Sequence, residues 1–182
     1  MIEGFAKSAP DEVRTMFRHL YDENSGVDVV KRIEDFKNGS VELLRKYGSR
    51  TENISHYQDE NAISIYLWLR YPDKYYIYKY GIAGKVSKVL DSDYQIETIG
   101  KNDYAGAEKT LRNFYSLYDE ICDCISADDE LTSLLKEHLS DDCWSDSAYR
   151  TLTMDVCFHI SWCYANGETA RDKYEFILPI DY

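Results

Sequence analysis

The stretch that most constrains the fold is Ile63–Tyr80, where two alternating runs flank a turn signal. Ile63, Ile65, Leu67 and Leu69 alternate with Ser64, Tyr66, Trp68 and Arg70, a period of two with strong β-branched and aromatic content. Pro72-Asp73 supplies a turn, and Lys74–Tyr80 alternates again. The pattern predicts an antiparallel β-hairpin, with a helix from Asn61 to Arg70 as the rival reading. Pairing Arg70 with Tyr75, Leu69 with Tyr76 and Trp68 with Ile77 sorts the side chains onto two faces. Ile65, Leu67, Leu69, Tyr76, Tyr78 and Tyr80 form a core face. Tyr66, Trp68, Arg70, Tyr75, Ile77 and Lys79 form the other. That second face mixes flat rings with cations, the combination that unstacked bases favour, at about 1–3 kcal/mol per stacked base. An Arg-on-Trp contact beneath covering helices would use the same residues structurally.

Helical periodicity governs most of the remainder. Ser8, Pro10, Asp11 and Glu12 start a helix carrying Val13, Met16, Phe17, Leu20 and Tyr21. A second carries Val29, Val30, Ile33 and Phe36, is interrupted at Asn38-Gly39-Ser40, and resumes through Val41, Leu43, Leu44 and Tyr47. Residues 49–61 read as loop, Gly81–Leu90 as a short helix, and Asp91–Lys101 as an edge strand through Tyr94, Ile96 and Thr98. Leu111–Ile125 forms a long amphipathic stripe. Asp128–Leu139 is a shorter helix with Leu131, Leu134, Leu135 and Leu139 turned inward. Leu152–Tyr164 is apolar on most sides and so is expected to be central. Residues 174–180 suit a last strand or the start of a linker. The expected fold class is α+β, predominantly helical, with the tyrosine-rich hairpin or a small sheet. It forms a single module over 1–182, with helices plus hairpin in 1–100 and an acidic helical half in 101–182.

Charge narrows the function classes. The 182 residues carry a formal net charge of −12, which argues against polyanion binding by the whole surface. From Arg70 to Leu90, however, Arg70, Lys74, Lys79, Lys85 and Lys88 face Asp73 alone, a basic island on the aromatic run. The expected nucleic-acid contacts are therefore Trp68, Arg70, Lys74, Tyr75, Lys79, Lys85 and Lys88. The acidic helices between Asp119 and Asp146 suit a solvated face or a docking surface for a basic partner. A DNA-mimic inhibitor fits less well, because residues 1–100 are near neutral. No run of about 18 apolar residues and no signal-peptide h-region occurs, so a cytoplasmic protein with no membrane partner is expected.

No catalytic motif emerges, so no enzyme, cofactor or metal site is expected. Gly81-Ile-Ala-Gly84-Lys85 lacks both the phosphate-loop spacing and a following Ser or Thr. Pro10-Asp11 and Asp35-Phe-Lys37 match metal-nuclease letters but fall on helices. His19, His56, His138 and His159 are scattered. Asp155 and His159, four apart on one helix, read as a satisfied core pair. Cys122, Cys124, Cys143, Cys157 and Cys163 read as reduced thiols and small core hydrophobes in preference to a zinc site with His138.

Residues His56–Tyr80 (HYQDENAISIYLWLRYPDKYYIYKY), Leu117–Cys143 (LYDEICDCISADDELTSLLKEHLSDDC), Leu152–Tyr164 (LTMDVCFHISWCY) and Pro10–Phe36 resemble the N-terminal region of bacterial McrB-like AAA+ proteins. These are the GTPase subunits of modification-dependent restriction systems. The resemblance covers most of the chain and carries no catalytic motif. It implies a non-catalytic DNA-recognition or specificity module, with GTP hydrolysis and DNA cleavage in other domains or subunits. The implied partners are DNA, possibly modified, and the AAA+ motor or other restriction subunits. Docking of a partner subunit through the acidic helices is the alternative reading.

Overall fold

The computed structural model describes residues 2–48, 58–97, 104–140 and 142–163. Along the chain run α1 (Ile2–Ser8), α2 (Pro10–Tyr21), α3 (Val29–Tyr47), α4 (Glu60–Arg70), α5 (Tyr80–Val89), α6 (Tyr104–Ser126), α7 (Asp129–His138) and α8 (Arg150–Cys163). No strand occurs among the described residues, so the architecture is all-helical and the α+β expectation, hairpin included, is overturned.

Local chemistry explains where the helices start. Asp28 accepts hydrogen bonds from the Val30 and Lys31 amides, Asp59 from Ala62 and Asp128 from Leu131, at 2.9–3.2 Å. Each such cap contributes about 1 kcal/mol. The Asp59 cap and Glu60 in the first turn open α4, and Pro72 follows shortly after its end. Within α4 the buried residues are Ile63, Ser64 and Leu67, a helical stripe, whereas Leu69 is 67% exposed. The alternation in the sequence was thus accidental, and the rival helix from Asn61 is the form adopted.

α3 is continuous through Gly39, where an interruption was expected. A Cβ on Gly39 would lie 3.1 Å from Met16 Sδ, so glycine permits the close approach of α2. Ser40 is buried and donates to the Phe36 carbonyl at 2.9 Å. Residues 91–97 form turns and irregular chain in place of the edge strand, while Thr98, residues 49–57 and the segment 174–180 lie outside the described residues. No described helix is long and apolar enough to cross a membrane.

The second half of the aromatic run is the centre of the molecule. Residues 75–79 pass through the core without regular secondary structure, with Tyr75, Tyr76 and Tyr78 buried. No neighbouring strand meets their peptide groups: the Tyr75 amide bonds the Tyr71 carbonyl, the Lys79 carbonyl accepts from Ile82 and Ala83, and side chains meet groups between them. Tyr78 N–H donates to Ser64 Oγ at 2.9 Å, and the Tyr78 carbonyl accepts from Asn61 Nδ2 at 2.6 Å. Ile77 N–H points to Met154 Sδ at 3.0 Å. The Tyr76 ring meets Phe114 and Tyr118 edge-on, at centroid distances of 6.2 and 5.4 Å. Around this passage α4 packs on α3, α5 and α6 pack on α8, and a smaller cluster of Phe5, Ala9, Val13 and Leu43 joins α1, α2 and α3.

Replacing Ser64 by Ala strands a buried amide. The free energy of unfolding in urea should fall by about 1–3 kcal/mol with little change in slope. The exposed control Thr15→Ala should stay within about 0.5 kcal/mol of the parent.

Candidate functional site

The expected nucleic-acid face does not assemble as a sheet. Tyr75, the ring meant to stack on a base, is 7% exposed. Its hydroxyl accepts from the Arg32 guanidinium at 2.7 Å and donates to Glu23 Oε1 at 2.9 Å. Lys74 is exposed but ion-paired with Glu23, and its Nζ lies 5.5 Å from the Tyr71 ring centre. Arg70 ends α4 with its guanidinium over Tyr71 at 5.4 Å. Lys85 and Lys88 are exposed on α5, and Lys79 immediately precedes that helix. Trp68 is half-buried on α4, and of the expected residues only it and Lys79 share a cleft, together with α8.

Arg32 went unnoticed in the sequence. It is 4% exposed and donates to the Leu20 carbonyl at 2.6 Å as well as to Tyr75. Its place four residues before Phe36, on the inward face of α3, was the available signal. Burial pushes the Glu23 carboxyl up, but hydrogen bonds from Lys74 and Tyr75 outweigh it, and the group titrates below its ordinary range.

A larger concavity lies elsewhere. The turn after α5 and helices α6, α7 and α8 enclose a cleft of about 660 Å³, within the size range of ligand-binding sites. Asp91, Asp93, Glu120 and Asp128 give it an acidic rim, and Leu117, Ile121, Ile125, Leu131 and Ile160 give it an apolar floor. Two bonds fix the turn: Ser87 Oγ donates to the Tyr94 carbonyl at 2.8 Å, and Tyr94 Oη donates to Glu120 Oε1 at 3.2 Å. The charge of Glu120 raises the Tyr94 phenol above its ordinary value. Asp91 adopts a left-handed φ of 48°, which aspartate tolerates better than most residues.

The apolar surface extends beyond the cleft. Leu134 and Leu139, expected inside, are 45% and 38% exposed on or just after α7. α8 is not wholly central either: Phe158 and Trp162 stack on its outer side with centroids 6.1 Å apart, and both are exposed. Asp155 and His159 sit on that exposed side, so they are not a core pair. Between Asp119 and His138 the chain carries seven acids against Lys136 alone, so the field around α6 and α7 is strongly negative.

The two buried cysteines are poorly placed for covalent chemistry. Burial pushes the Cys157 thiol up to about 12 and raises Cys122, so neither supplies a thiolate near neutral pH. Cys124 and Cys143 are exposed, and the side chain of Cys163 lies outside the described residues. Among the described residues no group of three His, Cys, Asp or Glu side chains is arranged to hold a metal ion. The chain matches no family model, no curated protein and no solved structure.

The depressed titration of Glu23 sets a pH signature. Its ionised form is favoured by folding, so this stabilisation is complete above the unfolded value near 4.3 and is lost as pH falls through the lower folded value. Glu23→Gln should melt below the parent at neutral pH, and the two melting temperatures should converge in acid. A constant gap from neutral to acid pH would contradict the network.

Proposed function

We propose that this chain is a non-catalytic docking module whose acid-rimmed cleft receives a basic, apolar-faced segment of a partner protein. The observation that carries this reading is the cleft between α6, α7 and α8, where four carboxylates surround an aliphatic floor. Apolar burial supplies affinity at about 25 cal/mol per Å², while the rim speeds encounter and selects cationic partners. If the likeness to McrB-like proteins reflects kinship, the partner is the AAA+ motor or another restriction subunit.

Direct DNA recognition is less well supported. Single-strand or flipped-base readout needs exposed rings beside cations, and Tyr75, Tyr76 and Tyr78 are core residues. The basic island retains Arg70, Lys85 and Lys88 at the surface, which suits at most weak contact with backbone phosphates.

A synthetic amphipathic helix with lysines on one face and leucines on the other is a direct probe of the cleft. It should bind the chain at low salt at least tenfold more tightly than a glutamate-for-lysine counterpart, by calorimetry or fluorescence anisotropy. Reversing Glu120 and Asp128 to lysine should remove that preference, whereas Arg70→Ala should leave it intact. Equal binding of the two peptides, or a dependence on Lys85 and Lys88, would refute the assignment.

A further inference from the structure

A second cleft, of about 260 Å³, opens between α4, the start of α5 and α8. It holds an unusual set of unmet polar groups. Trp68 Nε1 and Thr151 Oγ1 are shielded from solvent without a hydrogen-bond partner, and both residues line this cleft. Buried donors without partners are rare in folded proteins, and each costs about 1–3 kcal/mol unless something meets it. Lys79 and Asp155 line the same cleft from opposite elements, and neither forms an ion pair among the described residues, with each other or with any other group. The remaining wall is apolar and partly aromatic, with Met154 at its back and the exposed ring of Phe158 at its edge.

These groups define a ligand by complementarity. The exposed Lys79 ammonium is a charged donor, which suits a carboxylate. Asp155 supplies an acceptor of opposite charge, which suits an ammonium. The thioether and the rings suit an apolar or aromatic body. The volume lies just below the roughly 300 Å³ at which drug-sized sites begin, so the occupant is small. A water molecule would satisfy Thr151 or the indole but makes no use of the charge pair or the aromatic edge.

We propose that this cleft is a binding site for a free α-amino acid with an aromatic or large aliphatic side chain. Lys79 holds its carboxylate, Asp155 holds its ammonium, and its side chain lies against Trp68, Met154 and Phe158. The site is separate from the acid-rimmed docking cleft. Both rest partly on α8, so occupancy would restrain the helix that the partner also uses.

The test is a titration of the full chain with L-phenylalanine, followed by the indole N–H resonance of Trp68, which Trp68→Phe identifies by its loss. The Trp68 signal should shift saturably at millimolar amino acid. 3-Phenylpropionate, which lacks the ammonium, and phenethylamine, which lacks the carboxylate, should each bind about tenfold more weakly, the equivalent of one 1.4 kcal/mol contact. Lys79→Met should weaken L-phenylalanine and spare phenethylamine, and Asp155→Asn should weaken L-phenylalanine and spare 3-phenylpropionate. Both side chains are exposed, so folding should be unaffected. Asp128→Lys should leave all three affinities unchanged. A Trp68 resonance that does not move, which would leave water as the only occupant, overturns the proposal. So do equal affinities for the three compounds, which would mark a merely greasy slot.

Discussion

A length of irregular chain buried among helices has to find a partner for each peptide group, and the passage from Tyr75 to Lys79 imposes that requirement on the whole protein. A sheet would meet it with a neighbouring strand; here the Tyr75 amide turns back to the Tyr71 carbonyl, the Lys79 carbonyl accepts from the first turn of α5, and side chains from two helices serve the middle. Asn61 and Ser64 of α4 bond the backbone of Tyr78, and Met154 of α8 faces the amide of Ile77. The passage therefore fixes α4 and α8 relative to each other. It also explains the concentration of tyrosine. The rings of Tyr75, Tyr76 and Tyr78 fill core volume, and the hydroxyls of Tyr75 and Tyr76 extend to a polar edge. Tyr76 reaches Asp119 and Arg150, and Tyr75 reaches Arg32 and Glu23. Phenylalanine would fill the space and leave those charged groups short of a partner.

The buried guanidinium of Arg32 shows how closely this arrangement is balanced. Removing a charge from water costs several kcal/mol unless hydrogen bonds replace its hydration. Arg32 has the Leu20 carbonyl, the Tyr75 hydroxyl and the Tyr75 ring face at 5.7 Å, while its Nε is unpartnered. Its hydrogen bonds lead to a carboxylate through Tyr75, whose hydroxyl donates to Glu23. A surface glutamate is thus tied to the inside of the protein by one phenol, and Lys74, which looked like a free cation for phosphate, is occupied in holding that glutamate.

Legibility of the sequence followed the strength of local signals. α2 and α6 were readable because a 3.6-residue apolar stripe runs through each, although the Ser8 hydroxyl expected to cap α2 belongs to the end of α1 and Ala9 stands at the cap position without a side-chain bond. α4 was misread because the residues that alternate between Ile63 and Arg70 also satisfy a helix burying only Ile63, Ser64 and Leu67. The decisive cue was the Asp59-Glu60 start, which outweighs β propensity once tertiary packing is available. Gly39 marks no break because its meaning is contact with Met16, and no local rule reveals that. Of the candidate sites, the acidic half was visible as charge, yet its cleft was not, because Asp91 and Asp93 reach it from a turn distant in sequence. Trp68 and Lys79 were picked out as a pair on a strand face, and they do meet at one cleft, brought there by a helix and the irregular passage.

The exposed leucines of α7 complete the physical case for a partner. α7 packs chiefly on α6, and it leaves Leu134 to water while Leu131 reaches into the cleft. An isolated exposed leucine is unremarkable, because more than half of any protein surface is apolar. Here the exposed leucine lies one helical turn from Leu131, which lines a cleft that holds both aliphatic side chains and carboxylates, and those two features have opposite needs. The floor gains by excluding water, while unpaired acids beside it lose hydration if an apolar surface alone covers them. Only an occupant that brings both hydrocarbon and positive charge meets both conditions. In the proposed docking role, the acids would therefore restrict the choice of partner more strongly than they would raise its affinity.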